Sequence, residues 1–227
     1  ITPPLSAKLD VRTNTVYEIV GHPGGSTLDA QNSSRIFDLH YKGALTLKNV
    51  TLINGRATGD GGAIRKRSRM PPGLGMSALN MNHVQAARLT ILGGAIRDCE
   101  ATNDGGAVAA IADSAMMSSA ASRAPASRPA RLPGLLLRLL PKSSRPALST
   151  TGVDTNLVHV EVSGCRAGNR GGGIFLKDQS LNLADTRFLN NSAASGGAIA
   201  VHTPMTGQIK RSSCAPPSTL LLSSQYN

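Results

Sequence analysis

Residues 181–199 read LNLADTRFLNNSAASGGAI, and this stretch decides the fold. Take Phe188 as position zero. Leu181 then lies at minus seven, Leu183 at minus five and Thr186 at minus two. Ala193 follows five residues after Phe188, and the stretch closes on Gly196-Gly197-Ala198-Ile199. The same frame recurs upstream. Around Leu52 it holds Leu45, Leu47, Val50, Ala57 and Gly61-Gly62-Ala63-Ile64. Around Ile96 it holds Leu89, Ile91, Gly94, Ala101 and Gly105-Gly106-Ala107-Val108. Around Val162 it holds Thr155, Leu157, Val160, Ala167 and Gly171-Gly172-Gly173-Ile174. Thirteen of the sixteen framework slots carry Leu, Ile, Val or Phe.

Spacing of two is the strand signature, one side chain in and the next out. The change from two to three between minus five and minus two predicts a corner between short strands. The Gly-Gly pair predicts a second corner, where the backbone takes positive φ. Such a turn cannot bury its own apolar face, so turns must stack. The fold class expected is all-β: a right-handed parallel β-helix, a solenoid, with disordered or irregular insertions. Upstream, Val16–Ile19, Ser26–Asp29 and Arg35–Leu39 are further strand-like runs between turn-forming residues.

The Gly-Gly pairs are separated by 44, 66 and 25 residues. The shortest interval suits one coil; the other two must hold extra coils or insertions. The domain expected is a β-helix over 1–202, interrupted at about 65–88 and 113–150. Residues 203–227 are expected to form an irregular tail or cap. The stretch 113–150, rich in Ser, Ala, Pro, Arg and Leu, has too little patterned apolar surface to order itself.

Aromatics make up 3% of the chain, with no Trp and 24 Gly. That suits ladders of small and branched aliphatics better than a globular core. The net charge of +11 invites a nucleic-acid partner. Ten of those charges fall in the two interruptions, and no aromatics interleave to stack bases. Both facts count against nucleic acid. No apolar run is long enough for a transmembrane segment.

The run Phe188-Leu189-Asn190-Asn191 with Ala193 and Gly196–Ile199 resembles the repeat of chlamydial-type polymorphic outer membrane proteins. Leu45–Leu52 through Gly61–Ile64 resembles the pectate-lyase-like right-handed β-helix class. The likeness covers roughly 16–112 and 151–202. Only the fourth copy has the full Phe-x-x-Asn form; Leu52, Ile96 and Val162 take the Phe slot elsewhere. The resemblance implies a secreted or cell-surface β-helix, extracellular in location and often an adhesin.

Several residues are candidates for chemistry. Cys99 and Cys165 share one slot, three residues after Ile96 and Val162. Neighbouring coils would bring them about 4.8 Å apart, within reach of a disulfide; the alternative is a ladder of small turn residues with free thiols. Asp60 and Asp104 precede Gly-Gly pairs and are candidates for calcium or acid–base work. Arg170, in the same slot, would otherwise neutralise them. No other cofactor is indicated. Asn32, Asn49 and Asn190 lie in glycosylation sequons. No catalytic residue is assigned. The acids are scattered and the five histidines share no slot. The sequence therefore favours a non-enzymatic surface module for adhesion, binding carbohydrate or protein, with polysaccharide or a surface protein as partner. The alternatives are a carbohydrate-active β-helix enzyme of lyase or hydrolase type, or a fragment of a larger repeat array.

Overall fold

The computed structural model describes residues 8–68, 87–112, 155–177, 179–202, 207–215 and 220–222. Among them the chain is all strand and turn, without helix. After β1 (Leu9–Val11) it makes six similar passes. The first is β2 (Val16–Val20), β3 (Ser26–Asp29) and β4 (Phe37–Leu39). The second is β5 (Ala44–Ile53), β6 (Arg56–Ala57) and β7 (Ile64–Ser68). The third is β8 (Arg88–Arg97), β9 (Glu100–Ala101) and β10 (Val108–Ala112). The fourth is β11 (Thr155–Val158), β12 (Glu161–Ser163), β13 (Arg166–Ala167) and β14 (Ile174–Lys177). The fifth is β15 (Leu181–Ala184), β16 (Arg187–Leu189) and β17 (Ile199–Val201). The sixth is β18 (Gly207–Lys210), β19 (Ser213–Ala215) and β20 (Leu220–Leu222).

Each pass visits the same sheets in the same order. It runs through a ten-stranded sheet, which curls at the framework corner, and ends in a seven-stranded sheet ordered β1-β4-β7-β10-β14-β17-β20. On the second to fourth passes a short strand between them joins a three-stranded sheet, β13-β9-β6. All strand pairings among the described residues are parallel. Parallel strands need crossovers, and here the rest of each pass is the crossover. The arrangement is compatible with the β-helix expected from the repeat.

The sequence frame is the structural register. Leu52 pairs with Ile96, Ile96 with Val162, and Val162 with Phe188. The ladder extends to Leu28 at one end and Cys214 at the other. Leu47, Ile91, Leu157 and Leu183 form a second buried ladder. Both belong to one apolar cluster running through the passes. The Gly-Gly corner behaves as its composition predicts. Gly105 has φ +69°, and a Cβ there would press on the Val108 carbonyl. A Cβ on Gly106 would sit against the Gly172 carbonyl of the next pass, so side-chain-free backbone sets how closely the passes approach.

Three expectations change. First, no coil intervenes in the long intervals, because β5 pairs directly with β8, and β8 with β11 and β12. Residues 113–150 and 69–86 lie outside the described residues. Second, residues 65–68, assigned to the first interruption, are strand β7 and pair with β10, while Arg88 opens β8. A run of Arg65-Lys66-Arg67 hid that strand, because its charges mask the alternation. Third, the segment expected as an irregular tail or cap contributes regular strands, β18, β19 and β20, as a further pass at the end of the stack. Gly207 and Cys214 occupy framework slots without matching the apolar pattern.

Candidate functional site

The two larger sheets treat their outer faces differently. In the seven-stranded sheet several residues pointing away from the core are covered: Asp38 is 0% exposed, Ala109 0% and Phe175 1%. Arg170 lies over the Phe175 ring, 4.4 Å from its centroid. In the ten-stranded sheet burial alternates on either side of the corner in β5, and along β11. Its outer face therefore meets solvent and is the surface open to a partner.

That face is built as ladders. Next to the corner run Thr46, Thr90, Asn156 and Asn182, in register. The Asn182 side-chain amide donates to Asn156 Oδ1 at 2.8 Å. The corner residues are Asn49, Gly93, His159, Asp185 and Arg211, each with positive φ between 46° and 73°. Left-handed backbone favours Asn, Asp and Gly; His159 and Arg211 adopt it where the stack requires the bend. Beyond the corner come Thr51, Ala95, Glu161, Arg187 and Ser213. These two outer rows line an open trough of about 910 Å³.

Charge in the trough is interleaved. Arg211 Nε is 2.8 Å from Asp185 Oδ1, and His159 Nδ1 is 3.6 Å from Asp185 Oδ2. Arg97 reaches Glu161 at 3.1 Å. Arg187 is exposed and, among the described residues, has neither an ion pair nor a side-chain hydrogen bond. The sequence frame contains these positions as the non-framework residues of each copy. The frame rests on apolar residues and carries no signal for the outward row, so Glu161, Asp185, Arg187 and Arg211 stand out only once the register aligns them.

Asp60 and Asp104 lie on neighbouring passes, Gly61 donating to the Asp104 carbonyl, with Asp104 bridged to Arg170 and Arg170 to Ser195. Arg170 engages both oxygens of Asp104, at 3.1 and 2.7 Å. A guanidinium fork thus occupies the place a cation would take at Asp104. Asp60 Oδ1 lies 3.4 Å from the Asp104 amide. A second acid group, Asp10, Asp38 and His40, gathers ligand atoms within 4.8 Å of one another. It too is supplied with cations. Arg65 forms a close two-pronged contact with Asp38, and Lys8, Arg67 and Arg35 approach within 3.3, 3.4 and 3.7 Å. Burial alone would raise the Asp38 pKa. The Arg65 hydrogen bond, with the charges of Arg65, Arg67 and Arg35, outweighs it and brings the value to about 2. The fold uses Asp38 as the hub of an ion-pair cluster.

Cys99 and Cys165 occupy one slot on neighbouring passes, since Arg97 pairs with Ser163 and Glu100 with Arg166. Both are buried free thiols. The slot has a backbone task. Gly55 donates its amide to Cys99 Sγ at 3.3 Å, and Cys165 donates its own to Asn191 Oδ1 at 2.9 Å. Asn191 also donates to the Val162 carbonyl at 2.8 Å. This is the physical content of Phe-x-x-Asn: Phe188 fills the core ladder and Asn191 ties its pass to the previous one. Burial, then the hydrogen bond and charge of Cys99, pushes the Cys165 thiol well above the usual range.

The three sequon asparagines share one conformation: Asn32, Asn49 and Asn190 have φ of 56°, 54° and 54°. Turn geometry alone accounts for asparagine there. The Asn49 side-chain amide is engaged with the His22 carbonyl at 2.5 Å. Asn32 and Asn190 are exposed.

Comparison with known families adds one match. The family model described as the Chlamydia polymorphic membrane protein repeat matches residues 185–202. The match begins at the corner residue Asp185 and runs through Phe188, Asn191 and the Gly-Gly pair to the end of β17. It points to a module of surface-associated bacterial membrane proteins. No curated protein and no solved structure matches the chain. Among the described residues, no helix is long and apolar enough to cross a membrane.

Proposed function

We propose that the chain is a right-handed parallel β-helix of pectate-lyase-like architecture, displayed extracellularly at a bacterial surface. There it works as a non-enzymatic adhesion module, binding carbohydrate or protein on the outer face of its curled sheet. The common register of six passes carries this conclusion. It supports a stack whose inner ladders are apolar and whose outer rows are polar and half-exposed. Handedness follows from the rule that parallel crossovers in one sheet are right-handed. The polymorphic membrane protein repeat over 185–202 supports the surface location.

The test is binding of the intact folded chain to a panel of immobilised glycans and bacterial or host surface proteins. Saturable binding to at least one member, without product release from any glycan, is expected. Turnover of an acidic polysaccharide that disappears in Asp60→Ala or Asp104→Ala would instead establish the carbohydrate-active enzyme and overturn the non-enzymatic conclusion. Failure to bind any member would remove the adhesion role.

A further inference from the structure

Resting on that binding role, we infer that the corner trough of the curled sheet recognises an acidic polysaccharide, with Arg187 as its principal anchor. The trough crosses five passes, from Thr51 to Ser213, so successive groups repeat at about the 4.8 Å spacing of stacked strands. A linear glycan presents its groups at a comparable repeat, whereas a compact ligand would contact only one or two passes.

The side chains specify charge and hydroxyl chemistry together. Three arginines, Arg97, Arg187 and Arg211, face two carboxylates, Glu161 and Asp185, leaving one cation in excess. Arg97 and Arg211 are held by those carboxylates. Arg187 is not. Glu161 stands directly across from it in register but turns to Arg97. Arg187 therefore offers a free planar fork suited to a carboxylate or sulfate. The neighbouring carboxylates, with Thr51 and Ser213, accept and donate to sugar hydroxyls. The floor is Gly94, Ala95 and Val160, and the trough is lined by no Phe, Tyr or Trp, His159 being its one aromatic ring. A neutral sugar or a run of nucleic-acid bases would find a single imidazole to stack on, not a platform that continues from pass to pass. Ionic recognition of a hydroxyl-bearing polymer is what remains.

The experiment measures the intact chain by biolayer interferometry against immobilised polygalacturonate, heparin, neutral dextran and single-stranded DNA. Binding is expected to polygalacturonate or heparin but not dextran, and to weaken as salt is raised, since the groups are exposed. Which acidic polymer binds separates carboxylate from sulfate. Arg187→Ala should weaken binding about tenfold, the worth of one charge-assisted contact. Arg187→Lys, which keeps the charge but loses the fork, should fall between. Arg166→Ala removes an equal charge from the three-stranded sheet and should change nothing. Circular dichroism checks that each variant folds. Equal losses in Arg187→Ala and Arg166→Ala, tighter binding of DNA, or no binding to either acidic polymer would overturn the inference. If the parent binds a neutral glycan or a surface protein but neither acidic polymer, the adhesion role stands and only the anionic trough falls.

Discussion

Asp38 is buried among Arg35, Arg65, Arg67 and Lys8, so its titration is tied to folding. Its folded pKa, about 2, lies below the ordinary 3.8. The carboxylate's contribution is thus present above pH 3.8 and lost as pH falls through about 2, amounting to about 2 kcal/mol. Denaturant midpoints across this range should show that loss in the parent and not in Asp38→Asn. At neutral pH, Asp38→Asn should itself cost about 2 kcal/mol, because Arg35 and Arg65 lose the same carboxylate charge. The glycines divide in the same physical way. Gly106→Ala forces a methyl against the Gly172 carbonyl and should cost on the order of 3 kcal/mol. Gly24 has open space beyond His22 Nδ1 at 3.6 Å, and Gly24→Ala should stay within about 0.5 kcal/mol. Thermal midpoints of the pair distinguish a spacing constraint from a general intolerance of side chains.

At the scale of the element, the slot after each framework residue links passes through side chains. Burial keeps Cys165 protonated and enclosed, whereas Cys214 on β19 is exposed. Iodoacetamide should therefore alkylate Cys214 in the folded protein and reach Cys99 and Cys165 only after denaturation, read by mass spectrometry. Early labelling of Cys165 would mean that the slot opens. The corner before Gly-Gly has its own linkage, with Arg170 forked onto Asp104 and over Phe175. Because the guanidinium occupies Asp104, millimolar calcium should leave the parent's thermal midpoint unchanged. In Arg170→Ala, the released acid pair of Asp60 and Asp104 should let calcium raise it.

For the whole molecule, the two long intervals between Gly-Gly pairs matter little to the stack. β8 pairs with β11 and β12 as closely as β11 and β12 pair with β15 and β16. Between the fourth and fifth passes, three residues, 178–180, suffice to carry the chain from β14 to β15. Replacing 113–154 with a linker of that length should preserve the β circular dichroism and the Arg187-dependent binding. A collapse of either would show that those residues help build the stack. The charge distribution also changes meaning at this scale. Arg65 and Arg67 serve Asp38, and Lys66 is buried, donating to Thr155 Oγ1 at 3.1 Å and Gln179 Oε1 at 2.7 Å. Part of the high positive charge is therefore structural.

The sequence by itself determined the inner half of this protein. A period-two pattern broken at a fixed corner, and Gly-Gly where backbones must approach, specify which residues stack, and Leu52, Ile96, Val162 and Phe188 do so. Burial selects apolar and small residues strongly enough to leave a one-dimensional trace. The outer half left no such trace. Solvent accepts nearly any side chain, so Glu161, Asp185, Arg187 and Arg211 look like ordinary polar filler until the register sets them one above another. Strand β7 was hidden for a related reason: Arg65 and Arg67 pair with Asp38, 27 and 29 positions away, and Lys66 reaches Thr155 and Gln179 still further along the chain. Only the tertiary structure, by fixing which pass lies on which, decided where charge gathers and where a partner finds an unpaired arginine.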